Sequence, residues 1–121
     1  VNPYIYRFTL NRVIDGDTVD GRIDLGFRIG WDVRVRLDDY DAPETWRPAS
    51  VGEAEAGKQV ATFLEGLLKD QNLLLESRKV DLYNRCDGEL FIQCPGGYES
   101  VNQKVIAFIE ENQLQKSRFR P

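Results

Sequence analysis

Histidine is absent from this 121-residue chain, and cysteine occurs only twice, at Cys86 and Cys94. Without imidazole, a zinc site would need four ligands drawn from two thiols and carboxylates, and two cysteines cannot build a disulfide-dense scaffold. They read as isolated thiols; a Cys86–Cys94 bridge is the other arrangement the sequence allows, and the redox compartment stays open. No run of about 18 uncharged apolar residues occurs, which argues against a membrane-spanning helix. The first ten residues, VNPYIYRFTL, lack a basic stretch leading into an apolar one, so no uncleaved signal peptide is expected. Localisation is left unknown, since a cytoplasmic protein and a secreted one after processing would both read this way. Basic charge is short as well: the net charge is −4, against a protein that coats nucleic acid by bulk electrostatics.

What is there is the balance of an ordinary globular domain, 41% hydrophobic and 30% charged. One domain over residues 1–121 is expected, with 113–121 a flexible basic tail carrying Lys116, Arg118 and Arg120. Residues 4–10, YIYRFTL, alternate Tyr4, Tyr6, Phe8 and Leu10 against Ile5, Arg7 and Thr9, a strand with an aromatic face inward. After the Asp15-Gly16 turn, the stretch from Thr18 to Leu37 is rich in β-branched residues and broken by Gly21, Gly26 and Gly30, so it reads as two further strands. In its last part, VRVRL, the valines and Leu37 share one face and Arg34 and Arg36 the other. From Ser50 the period changes. Ser50 and Glu53 have capping-box spacing, and Ala56, Val60, Phe63, Leu64 and Leu67 form a helical stripe. LLLESRKV (73–80) and ELFIQ (89–93) read as strands, DLYNRCDG between them as a loop. Ser100 and Gln103 cap a second helix with Val101, Val105, Phe108 and Ile109 on its apolar face. Three strands, a helix, two strands and a helix make a mainly β, α+β chain. The order suits a five-stranded Greek-key barrel of the OB type, with one helix between strands 3 and 4 and the second near the C-terminus. An open α+β sheet is the alternative.

Charge is unevenly placed. Residues 15–44 hold nine acids against four arginines, and DDYDAPE (38–44) packs four carboxylates into seven positions. Like charges a few ångströms apart raise one another's pKa and cost stability, so such a cluster is solvated or opposed by a cation. A polar turn and a metal site are both open on this ground alone. Asp38 and Asp39 read as solvated strand-end charges, and Asp15 as a turn former rather than a ligand.

The motifs VIDGDTV (13–19), RLDDYDAPE (36–44) and DLYNR (81–85), with the GEAEAGKQVATFL helix among them, together resemble the staphylococcal nuclease (thermonuclease) family over most of residues 8–105. The style is that of its bacterial and phage branch. The resemblance implies an OB-like barrel, calcium dependence, and phosphodiester hydrolysis of DNA and RNA that leaves 3′-phosphate ends. It places Asp17 and Asp41 on the calcium-ligand aspartates and Ala42 on the residue offering a carbonyl to the ion. Glu44 falls on the glutamate that orients or deprotonates the attacking water, and Arg36 and Arg85 on the two phosphate-gripping arginines. Tyr83 matches a tyrosine near the phosphate, though such a residue could equally pack across its loop. The implied chemistry is consistent with the residue types. Calcium takes hard oxygen ligands, a carboxylate one water away can orient a nucleophile, and arginine offers two parallel donors to phosphate.

The sequence departs from the family in four places. Asn84 replaces the glycine before the second arginine, which asparagine's tolerance of positive φ makes acceptable. CDGELFIQ after Arg85 reads as including a short insertion, the hairpin from Thr18 to Arg36 is long, and the common third helix has no counterpart. The reading is a calcium-dependent, sequence-tolerant endonuclease, expected as a monomer with DNA or RNA as substrate and no membrane partner. The alternative is a non-catalytic OB-type module that binds nucleic acid or protein.

Overall fold

The structure is a computed structural model that describes residues 3–45, 47–81 and 83–119. Leu82 of the DLYNR motif and Arg120 of the basic terminus lie outside the described residues. Strand β1 (Ile5–Asp15) pairs antiparallel with β2 (Thr18–Asp24), and β2 with β3 (Gly30–Leu37). Along β3, Val33, Val35 and Leu37 are buried while Asp32 and Arg34 are exposed, the alternation of a sheet with one face on a core. The aromatic face of β1 turns inward only past its start: Phe8 is buried, Tyr6 half-buried and Tyr4, just before the strand, exposed. Strand β4 (Leu73–Val80) pairs with β1, and β5 (Arg85–Cys94) with β4. The first half of β5 also runs parallel to β3, Arg34 opposite Arg85 and Leu37 opposite Gly88. That pairing closes the order β3-β2-β1-β4-β5 into a five-stranded barrel, so the Greek-key barrel holds and the open sheet does not.

Two strand boundaries differ from the sequence reading. The strand expected from Glu89 begins at Arg85 and runs unbroken, without an intervening insertion loop. Its early start follows from the open edge of β3, which the backbone of residues 85–88 pairs with. A sixth strand, β6 (Gly97–Ser100), folds back on the end of β5 through Gly96 at φ 87°. Four residues directly ahead of a helix carry no periodicity of their own, so only the pairing reveals them.

Helix α1 (Val51–Leu68) starts where its cap predicts, with Glu53 N donating to Ser50 Oγ at 3.1 Å. It lays Ala56, Val60, Leu64 and Leu68 into the core, with Phe63 and Leu67 half-buried beside them. Its packing holds two loops in place. A Cβ on Gly16 would lie 2.5 Å from Val60 Cγ1 and 2.9 Å from Ala42 Cβ, and one on Gly57 would lie 2.6 Å from the Pro43 carbonyl oxygen. Only glycine lets the β1–β2 turn and residues 42–45 close this tightly on the helix. Helix α2 (Val101–Glu111), capped by Ser100 Oγ, buries Val101, Val105 and Ile109. Phe108 stacks on Phe63 of α1 with ring centroids 4.1 Å apart.

Beyond α2 the segment read as a flexible basic tail is seated on the domain as far as Phe119. Leu114 is buried, Lys116–Arg118 form a 3-10 turn and Phe119 packs against the core. Leu114 and Phe119 thus flank Lys116 and Arg118 with apolar contacts. Among the described residues no helix is long and apolar enough to cross a membrane.

Candidate active site

The parallel pairing of β3 with β5 brings together two arginines far apart in sequence. Arg36, on the outer face of β3, and Arg85, at the head of β5, line one pocket of about 400 Å3 with Thr18, Arg34, Lys79 and Asp87. Arg34 is committed to Asp20, through Nε at 2.8 Å and Nη2 at 3.1 Å, and Arg36 is paired with Asp41. The Arg85 guanidinium and the Lys79 ammonium have no hydrogen-bond or ion-pair partner among the described residues. Arg85 is aimed by its loop. Asp81 Oδ1 accepts from the amides of Tyr83 at 2.7 Å and Arg85 at 3.2 Å, and Arg34 N donates to Asn84 O at 2.8 Å. Asn84 adopts φ 59°, the conformation its tolerance of the left-handed region allows. Tyr83 is 80% exposed and does not line the pocket.

The acids are distributed rather than gathered. Asp17, half-buried after the β1–β2 turn, accepts from Ala42 N at 3.0 Å and from the Thr18 hydroxyl at 2.9 Å. Burial raises its pKa above the ordinary value, against the pull of those two donors and of the Arg36 charge. The turn is pinned by Tyr40, whose hydroxyl donates to Gly16 O at 2.6 Å; burial drives this phenol far above its usual range. Asp41 is exposed and takes Arg36. Ala42 is buried and engages Asp17 through its amide. Glu44 N donates to Glu53 Oε2 at 3.1 Å, and Glu44 Oε1 accepts from Lys116 Nζ at 3.0 Å. Asp15 accepts from the Thr45 hydroxyl, a loop-fastening contact. Among the described residues no three histidine, cysteine, aspartate or glutamate side chains converge as a cation cage. Asp17, Asp41 and Glu44 are each held by a different donor.

Asp38 and Asp39, expected to be solvated, are instead opposed by one arginine. Pairing between β4 and β5 slips at Arg78, and the guanidinium of this unpaired residue donates to Asp38 and Asp39 at 2.7 Å each and to Glu89 at 2.6 Å. The carboxylates in turn raise the Arg78 pKa. The first half of DDYDAPE is thus a structural ion-pair network and the second half carries Asp41 and Glu44.

Three participants gave no functional signal in the sequence. Lys79 follows the bulge in β4 and reaches the pocket only because the barrel closes. Glu53 was visible as a capping-box residue, yet its buried carboxylate accepts from the amides of Ala49 and Glu44. Lys116 lay in the segment read as tail. The two thiols match the isolated reading: both are free, and burial pushes Cys86 up to about 11.

No protein-family model matches the chain. Over 116 residues, 94% of the chain, it is 28% identical to the micrococcal nuclease of Shigella flexneri. Over 81 residues, 67% of the chain, it is 32% identical to the protein ParB of Escherichia coli. It spans 60% of the first relative's length and 39% of the second's. Similarity along nearly the whole chain, joined to a closed five-stranded barrel with two helices, makes the domain similar to a micrococcal nuclease at a distance in sequence.

Proposed function

We propose that this domain is a calcium-dependent, sequence-tolerant endonuclease that hydrolyses phosphodiester bonds of DNA or RNA. The observation that carries the reading is the pocket shared by Arg36 and Arg85, in which two cationic side chains, Arg85 and Lys79, make no ion pair among the described residues although Asp81 and Asp87 also line it. A phosphodiester is the ligand such a pocket suits, since guanidinium groups offer parallel donors to phosphate oxygens and stay charged. The domain as a whole is acidic, so the attraction is local to this pocket.

The donor types beside the pocket suit calcium, although no three acidic side chains converge there among the described residues. Asp17 and Asp41 offer hard carboxylate oxygens with no imidazole in the chain to draw a softer metal. Asp17 moreover carries a desolvated charge that a cation would relieve. Asp17, Asp41 and the Ala42 carbonyl are the ligands in this reading. Bound there, calcium would supply positive charge for the phosphate oxygens. The chain's own residues do the rest. Arg36 and Arg85 bind the phosphate and stabilise the charge that builds on it during attack. Glu44 orients the attacking water and accepts its proton.

Labelled single-stranded DNA and RNA oligonucleotides incubated with the domain test this directly. Cleavage in calcium and none in chelator is expected, with Glu44→Gln and Arg36→Ala each lowering kcat by on the order of 10² or more. Arg85→Ala should act in the same direction. Oligonucleotides left intact at millimolar calcium and alkaline pH would refute catalysis, and binding without cleavage would mark the barrel as a binding module.

A further inference from the structure

Glu44 sits in residues 41–45, an irregular stretch in which no strand or helix fixes a side chain. Two contacts fix this one instead. Its backbone amide is held by the fully buried Glu53 of α1. Its Oε1 accepts from Lys116 Nζ at 3.0 Å, from a residue 72 positions further along the chain. Lys116 is held in its turn. It opens the 3-10 turn, between Leu114, which is 7% exposed, and Phe119, which rests on the core. Lys116 Nζ engages one carboxylate oxygen, and Glu44 Oε2 has no partner among the described residues.

We propose that Lys116 is a positioning residue for Glu44: it holds the carboxylate by one oxygen so that the other is presented to the attacking water. The inference rests on the nuclease reading, in which Glu44 handles that water. Its physical basis is the freedom of a glutamate side chain. Three rotatable bonds on an irregular backbone scatter the carboxylate over many positions, and a displacement of about 1 Å at a reacting group can cost up to a hundredfold in rate. Both partners are part-exposed, at 29% and 32%, so the ion pair contributes little to stability. A large effect on turnover with a small one on folding is therefore the signature of positioning.

The test is Lys116→Ala in the full chain, assayed on a single-stranded DNA oligonucleotide with calcium. A fall in kcat of about tenfold is expected with KM unchanged, and a melting temperature within about 2 °C of the parent. Lys116→Arg, which keeps the cation, should recover most of the rate. In a Glu44→Gln background Lys116→Ala should cost little more, because the two residues act as one unit. Carbon-13 NMR of glutamate-labelled protein gives a readout independent of cleavage. The Glu44 carboxyl resonance should move and sharpen towards a freely rotating signal in Lys116→Ala. Wild-type kcat, a rise in KM alone, a rate increase, an equal loss in the Glu44→Gln background or an unmoved Glu44 resonance would each overturn the proposal. A parent domain that cleaves nothing defeats the nuclease reading instead, and the NMR comparison still decides whether Lys116 orders Glu44.

Discussion

Replacing Asn102 with alanine removes three hydrogen bonds at a point closed to water. The side chain is fully buried in the first turn of α2. Its Oδ1 accepts from Leu90 N at 3.2 Å, and its Nδ2 donates to Gly88 O at 3.2 Å and to Asp39 Oδ2 at 3.0 Å. One amide thus fastens α2, β5 and the start of the DDYDAPE loop together. The three losses are unequal. Leu90 N loses its buried side-chain acceptor, at about 1–3 kcal/mol. Gly88 O keeps a long contact from Asp38 N at 3.4 Å, and Asp39 keeps Arg78, so each of these costs nearer to 0.5–1.5 kcal/mol, the net worth of an ordinary bond. The total is about 2–6 kcal/mol, centred near 4, a large share of the roughly 6–18 kcal/mol that a domain of this length holds. With an unfolding entropy near 2.1 cal/mol/K per residue, the central value corresponds to a Tm lower by about 16 °C. Urea unfolding followed by circular dichroism measures it, with an unchanged m value as evidence that the native state is intact. Asn102→Asp keeps the acceptor for Leu90 N but turns a carboxylate oxygen toward Gly88 O and Asp39, so it should be at least as damaging. A loss under about 1 kcal/mol in the alanine variant, within the range of a surface substitution, would refute the reasoning.

Three further outcomes follow from the site. Calcium held by two aspartates and a carbonyl should bind at about 10⁻⁴ to 10⁻³ M, and at ten times Kd raise stability by about 1.4 kcal/mol, roughly 5 °C in Tm. Asp41→Asn should abolish that shift, and identical melting curves in calcium, magnesium and chelator, with nucleotide present, would end the metal assignment. Because burial raises the Asp17 pKa, its contribution to stability is fully present below its unfolded value and lost as pH rises through the folded one. Asp17→Asn in chelator should therefore gain on the parent as pH climbs from the carboxylate range to neutrality; urea midpoints that run parallel from pH 3 to 7 would contradict this. Cys86, buried and with its pKa pushed up to about 11, should react with a disulfide reagent at neutral pH only as fast as the domain opens, and a rate matching a free thiol would place it at the surface instead.

Local pattern alone determined most of the elements here, while the roles given to the site residues came from the resemblance of their motifs to a known family. Val33, Val35 and Leu37 alternate with Asp32, Arg34 and Arg36, and a period of two can bury only one side of a strand. Ser50 and Ser100 announce the two helices because a hydroxyl three residues ahead of an orphan amide caps it wherever the chain goes next. The acids of DDYDAPE and the arginines at 36 and 85 were likewise visible as motifs. What those charges face was decided by tertiary structure. Arg36 and Arg85 share a pocket because β3 and β5 pair in parallel, Arg34 opposite Arg85 far along the chain, with no sequence period to announce it. Asp38 and Asp39 meet Arg78 because a bulge in β4 turns that side chain toward them, and Glu44 meets Lys116 because Leu114 and Phe119 seat the C-terminal segment on the barrel. Capping and alternation act over three or four residues and are written in composition and spacing. Ion pairing acts through space, and its partners become neighbours only after burial of the apolar face has set the path of the chain.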